Sequence, residues 1–147
     1  HLSSFNTVAA DHKDGGVKCD PVLVKCSKQK IVTKSSTEAE LVTLSDAVSL
    51  AAYNIEFLKG QGYKVNAVLH QDNTSCISLA ENGRSNSDRT KHIGIRYFFV
   101  KQYVDNGTMK IQHCPTLQMI ADILTKPLQG ELFRRLRDLL LGYTRAE

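Results

Sequence analysis

The stretch Ser35–Leu58 (SSTEAELVTLSDAVSLAAYNIEFL) constrains the fold more than any other part of the chain. Within it Leu41, Leu44, Val48, Ala51, Ile55 and Leu58 recur at steps of three and four, the period of one buried helix face. Glu40 lies on that stripe. With Glu40 at zero and ~100° per residue, Leu44 falls at about 40°, Val48 at about 80° and Ala51 at about 20°. Glu38 and Glu56 fall near about 160° and Asp46 near about 240°, toward solvent. A carboxylate turned into the fold needs a reason, because a buried charge is costly unless it is paired or bound to a cation.

At 147 residues the chain is long enough for one domain with a sizeable core. Its hydrophobic share of 41% excludes wholesale disorder. The formal charge of +4 leans only mildly toward anionic partners. No run approaches a membrane span and no basic-then-apolar leader opens the chain, so no membrane partner is expected. Cys19, Cys26, Cys76 and Cys114 are irregularly spaced and form no Cys-x-x-Cys pair. That pattern suits a reducing, intracellular setting, with cytoplasm and nucleus both open. The start at His1 suggests a piece of a longer protein.

In order, residues 1–20 hold a short strand end at Val8–Ala10 interrupted by Gly15 and Gly16, and Pro21–Val32 reads as a strand. The long helix follows, with Thr37 and Glu40 spaced as a capping box and Gly60 and Gly62 as a stop. Ala67–Gln71 (AVLHQ) reads as a buried strand and Thr74–Leu79 starts a second helix. After a polar, basic loop at 83–89, Arg89–Val104 reads as a third helix facing inward through Ile93, Tyr97, Val100 and Val104. Met109–His113 alternates as a strand, and Thr116 is positioned to cap a helix through Leu124. Leu132, Phe133, Leu136, Leu139 and Leu140 mark a last amphipathic helix. Strands mixed with helices of these lengths give an α/β layer fold.

Three carboxylates stand out by position: Glu40, Asp72 at the C-terminal end of the clearest strand, and Asp122 among Ile120, Ile123 and Leu124. Converging, they would repel one another unless a hard cation such as Mg²⁺ bound between them. Each also has an ordinary local reading. Glu40 could serve the capping box, Asp72–Asn73 could cap the next helix, and Asp122 could pair with Lys126. His92 and His113 are candidate general bases, and Cys114 beside His113 is a candidate nucleophile without further ligands at zinc spacing. Arg84, Arg89, Lys91, His92 and Arg96, followed by three aromatic residues, could track a phosphate backbone or form a solvated face.

Taken together, KQKIVTKSSTEAELVTLSDA, HQDNTSCISLAEN, RTKHIGIRYFFVKQYV and PTLQMIADILTKPLQGELFRRL resemble the ribonuclease H region of Ty1/copia-type retrotransposon Pol polyproteins. The order and spacing agree over roughly 21–142, leaving 1–20 as a divergent N-terminal segment and 143–147 as a tail. The resemblance implies a ribonuclease H-like fold, a five-stranded mixed sheet flanked by helices. It further implies four acidic residues binding two Mg²⁺ ions, with Mn²⁺ as a substitute, and hydrolysis of the RNA strand of RNA–DNA hybrids. The second Glu of STEAEL is Glu40, the Asp of HQDN is Asp72, and the Asp of IADILTKP is Asp122. The remainder of the Pol polyprotein, including reverse transcriptase, would be a partner.

The chain departs from the family at its start. The first acidic ligand belongs to an early strand before a His-x-Asp; His12-Lys13-Asp14 fits the latter and sets Asn6 near the ligand position, with Asp11 the nearest carboxylate. A further strand has only GGVKCD in its place, so the first strands are expected to be shortened or disrupted. Asn is a poorer Mg²⁺ ligand than Asp. The chain thus reads either as such a nuclease or as a non-catalytic remnant that binds nucleic acid or is only structural.

Overall fold

The computed structural model describes residues 2–11, 18–82 and 91–143; for 2–11, 18–22, 82 and 91–93 only the backbone is described. The chain divides into two compact units, one made of Ile31–Cys114 and the other of residues 1–30 with 115–147.

In the unit Ile31–Cys114, helix α1 (Ser36–Gly60) is followed by strand β3 (Ala67–Gln71), helix α2 (Thr74–Asn82), helix α3 (Lys91–Asp105) and strand β4 (Met109–His113). The α1 face forms as its spacing requires: Leu41, Leu44, Val48 and Ile55 are buried, and Ala51 packs against them. They meet Cys76 and Ala80 of α2, Tyr97 and Val100 of α3, and Met109 and Ile111 of β4 in one apolar cluster. Ser45 and Val42 are buried as well, so the covered side is centred on Val48 and Glu40 stands at its flank. That position explains why Glu40 is half-buried rather than engulfed.

Helix α1 stops in a Schellman motif. The Gly62 N–H donates to the Lys59 carbonyl at 2.9 Å and the Tyr63 N–H to the Leu58 carbonyl at 3.0 Å. Gly62 takes φ of +87°, a conformation a side chain would strain, whereas Gly60 is simply the last helical residue. At 25 residues α1 is, by length and composition, apolar enough to cross a membrane, contrary to the expectation from the sequence. The reason is its run of small and aliphatic residues; the face that makes it so apolar is the one buried on α2, α3 and β4.

Strands β3 and β4 pair in parallel, in register Ala67 with Met109 through Gln71 with His113. The ladder is continued by the Cys114 N–H donating to the Gln71 carbonyl at 3.0 Å. Both strands have the bounds read from the sequence, but β3, expected as a short buried apolar run, alternates instead: Val68 is exposed and Gln71 is its buried residue.

The other unit begins with an antiparallel hairpin of β1 (Leu2–Asp11) and β2 (Lys18–Lys28), with a register shift between Thr7 and Val8. Strand β1 is ten residues long, so the first strand is extended and not the short end expected at Val8–Ala10. Two strands precede α1 among the described residues, one fewer than the resemblance implied. The described ladders are one antiparallel and one parallel pair, in place of an expected five-stranded mixed sheet. The helix expected from Thr116 to Leu124 is instead two 3₁₀ turns, Thr116–Gln118 and Ile120–Leu124. Pro115 stands at the start without a side-chain cap, and Met119 is extended at φ −73° and ψ 98°, which breaks the helical run. Helix α4 (Gly130–Leu140) buries Leu136 and leaves Phe133 and Leu139 partly exposed.

Leu41→Ala, at a side chain with 0% exposure, is expected to cost about 2–5 kcal/mol in denaturant unfolding. Val32→Ala, at 89% exposure, is expected to change stability by less than about 0.5 kcal/mol.

Candidate active site

The local duties that could have claimed Glu40 and Asp72 belong to their neighbours. At the start of α1 the Ser35 hydroxyl accepts the Glu38 N–H at 3.2 Å, and the Glu38 carboxylate accepts the Lys34 N–H at 2.7 Å. Capping is thus done by Ser35 and Glu38, two residues before the Thr37–Glu40 pair suggested by spacing. At the start of α2 the Asn73 side-chain carbonyl accepts the Cys76 N–H at 3.1 Å, so Asn73 rather than Asp72 is the cap.

The two acids are brought to one place. Glu40 projects from the first turns of α1, and Asp72 follows the last residue of β3. Gln71, buried at 6% exposure, donates from Nε2 to the Glu40 carboxylate at 3.5 Å. Cys76, whose sulfur lies 3.9 Å from the same Gln71 nitrogen, feels both carboxylates. Its thiol is pushed up to about 12, first by burial, then by the Glu40 carboxylate and then by the Asp72 carboxylate. Both carboxylates therefore bear on one buried point in the first turn of α2. Within Ile31–Cys114 no set of three His, Cys, Asp or Glu side chains forms a metal-ligand group among the described residues. Two carboxylates nonetheless supply the hard oxygen donors that suit a cation completing its shell with water or phosphate oxygens.

Asp122 belongs to the other unit, in the 3₁₀ turn Ile120–Leu124. Its side chain is 14% exposed and pairs with the Lys126 ammonium at 2.6 Å, the i,i+4 partner that the sequence offered. That ion pair accounts for a carboxylate in an apolar setting by pairing it with an ammonium. In the same unit Asn6 lies opposite Val24 in the hairpin, and Asp11 ends β1 opposite Lys18. Five residues of strand separate the two by roughly 17 Å, so they are not interchangeable positions. Their side chains lie outside the described residues, as do Arg84, Arg89 and the side chains of Lys91 and His92. Arg96 is described: its guanidinium joins Asp46 of α1 at 2.6 Å, tying α3 to α1. Cys114 is half-buried and not joined in a disulfide.

Gln71 and Cys76 escaped the sequence reading. Gln71 ends a strand whose alternation marks it as one more residue of a ladder, and Cys76 sits at a core position of a short helix. Only the placement of Asp72 between them hinted at their surroundings.

Ser35→Ala is expected to destabilise by about 1 kcal/mol in denaturant unfolding, and Thr37→Ala by clearly less. Because the folded Cys76 thiol titrates above its ordinary value of 9.0, its contribution to stability is full below pH 9 and is lost as pH climbs toward about 12. Unfolding midpoints at pH 8 and pH 11 should therefore differ less in Cys76→Ala than in the unsubstituted protein. Alkylation at pH 8, mapped by mass spectrometry, should reach exposed Cys26 well before Cys76.

Comparison with known proteins places the chain. It is 33% identical over 127 residues, 85% of its length, to the retrovirus-related Pol polyprotein from transposon RE1 of Arabidopsis thaliana. It is 31% identical over 113 residues to that from transposon TNT 1-94 of Nicotiana tabacum, and 27% identical over 114 residues to the truncated transposon Ty1-A Gag-Pol polyprotein of Saccharomyces cerevisiae. The chain spans only 8–9% of the length of these relatives. No protein-family model matches it, and no solved structure does. Over three-quarters or more of its length, this chain is homologous to a segment of Ty1/copia-type retrotransposon Pol polyproteins.

Proposed function

We propose that the chain is a ribonuclease H-type domain, a Mg²⁺-dependent endonuclease for the RNA strand of RNA–DNA hybrids formed during reverse transcription. The observation that carries this reading is the approach of Glu40 and Asp72: the Gln71 amide, next to Asp72 in the chain, donates to Glu40, and both carboxylates act on the Cys76 thiol. Their oxygens are the hard donors that Mg²⁺, or Mn²⁺ in its place, accepts alongside substrate phosphate. Two such ions, when bound, supply an activated water and stabilise charge on the leaving 3′ oxygen. In this reading Glu40 and Asp72 are ligands and Asp122 a third, exchanging Lys126 for a cation. Asp11 is the nearest carboxylate for the fourth position. Arg84, Arg89, Lys91, His92 and Arg96 hold the hybrid's phosphates, and the 2′-hydroxyl distinguishes RNA from DNA.

A second reading is a non-catalytic remnant that binds nucleic acid or is only structural. It is favoured by the Asp122–Lys126 ion pair and by Asn6 in β1. A labelled RNA–DNA hybrid with Mg²⁺ or Mn²⁺ separates the two. Cleavage confined to the RNA strand, abolished in Asp72→Asn and Glu40→Gln, is the expected result. Intact RNA, together with binding that weakens steeply with salt, would replace it with the remnant.

A further inference from the structure

Gln71 is buried at the end of β3 yet carries a primary amide, a group that buries well only when both ends are bonded. Both are. Its Oε1 accepts the Asn73 N–H at 3.1 Å, while its Nε2 donates to Glu40 Oε2 at 3.5 Å and lies 3.9 Å from Cys76 Sγ. This pattern fixes which way the amide points. Turned over, it would set an oxygen against the Glu40 carboxylate and a nitrogen against the Asn73 N–H. Asn73 in turn caps α2. A chain of bonds therefore runs from Glu40 on α1, through the Gln71 amide, to Asn73 and the first turn of α2. Asp72 sits inside the two-residue turn that this amide closes.

We propose that Gln71 is a positioning residue whose amide ties Glu40 to the turn carrying Asp72 and so sets the spacing of the two carboxylates. Like charges held near each other repel, and the amide bond restrains the Glu40 side of that pair. The amide bears no charge, so it can restrain Glu40 without neutralising it as a lysine would. Groups behind a ligand of this kind govern metal affinity through orientation. The consequence for a cation rests on the reading of Glu40 and Asp72 as ligands; the tie itself does not.

The test uses the whole chain labelled with ¹⁵N, with the Gln71 side-chain NH₂ signals assigned by their loss in Gln71→Met. Slow solvent exchange of those protons is expected in the unsubstituted protein and fast exchange in Glu40→Ala. The Asn73 backbone amide should lose protection in Gln71→Met and keep it in Glu40→Ala. Gln71 protons that exchange as in a free glutamine, or that ignore Glu40→Ala, would overturn the proposal. Mn²⁺ titration followed by water proton relaxation should show affinity falling roughly tenfold or more in Gln71→Met, with circular dichroism confirming the fold. Equal affinity in folded Gln71→Met would also overturn it. Absence of Mn²⁺ binding by the unsubstituted protein would instead overturn the nuclease reading, and the exchange of the Gln71 amide would still decide the tie.

Discussion

Burial of one side of α1 is the interaction on which the unit Ile31–Cys114 depends. Leu41 and Val48 have no exposure, and the residues they meet come from α2, α3 and β4. A helix of this length could not hold a carboxylate in place by its own propensity, since helical stability in proteins comes mainly from packing of the apolar face. The packed side chains fix the rotation of α1 about its axis. That rotation puts Glu40 at the flank of the covered side, near the end of β3, rather than in open solvent or the middle of the core. Position on the helix and orientation toward Asp72 are one consequence of the same packing.

The polar groups around this core show a division of labour. Ser35, Glu38 and Asn73 satisfy the backbone at two helix starts, while Gln71 bridges elements and Arg96 anchors α3 to α1 through Asp46. Two adjacent acids, Glu38 and Glu40, have separate duties because they lie about 160° apart around the helix. Asp122 is the contrasting case: its lysine partner is four residues away on the same turn and reaches it directly.

Much of this was legible in the residues. The apolar spacing of α1, the bounds of β3 and β4, and the pairing of Asp122 with Lys126 all follow local rules that a short window contains. The capping assignment was shifted by two residues because Ser35 and Thr37 offer nearly the same pattern, and only the geometry of Lys34 distinguishes them. The 3₁₀ turns near Asp122 looked helical because Leu117, Ile120 and Leu124 are spaced by three and four, as on one α-helical face, and the extended Met119 that breaks the run leaves no mark in that spacing. The length of β1 was hidden by its mixture of Ser, Asn and Thr, and it was made visible only by the register with β2. The Gln71 amide could not have been foreseen, since its partners lie on α1 and on the following turn, contacts that periodicity does not encode.

The parallel ladder has a kinetic consequence. Ala67 pairs with Met109, so α2 and α3 lie within a connection of roughly forty residues that must close before the β3–β4 ladder forms. Such non-local pairings are made late and slowly compared with the helices they enclose. Glu40 and Asp72 come from opposite ends of the early and late events, one on a helix that can form locally and one at the tip of the ladder. During synthesis, α1 therefore emerges with its carboxylate long before the strand that completes the pair has found its partner.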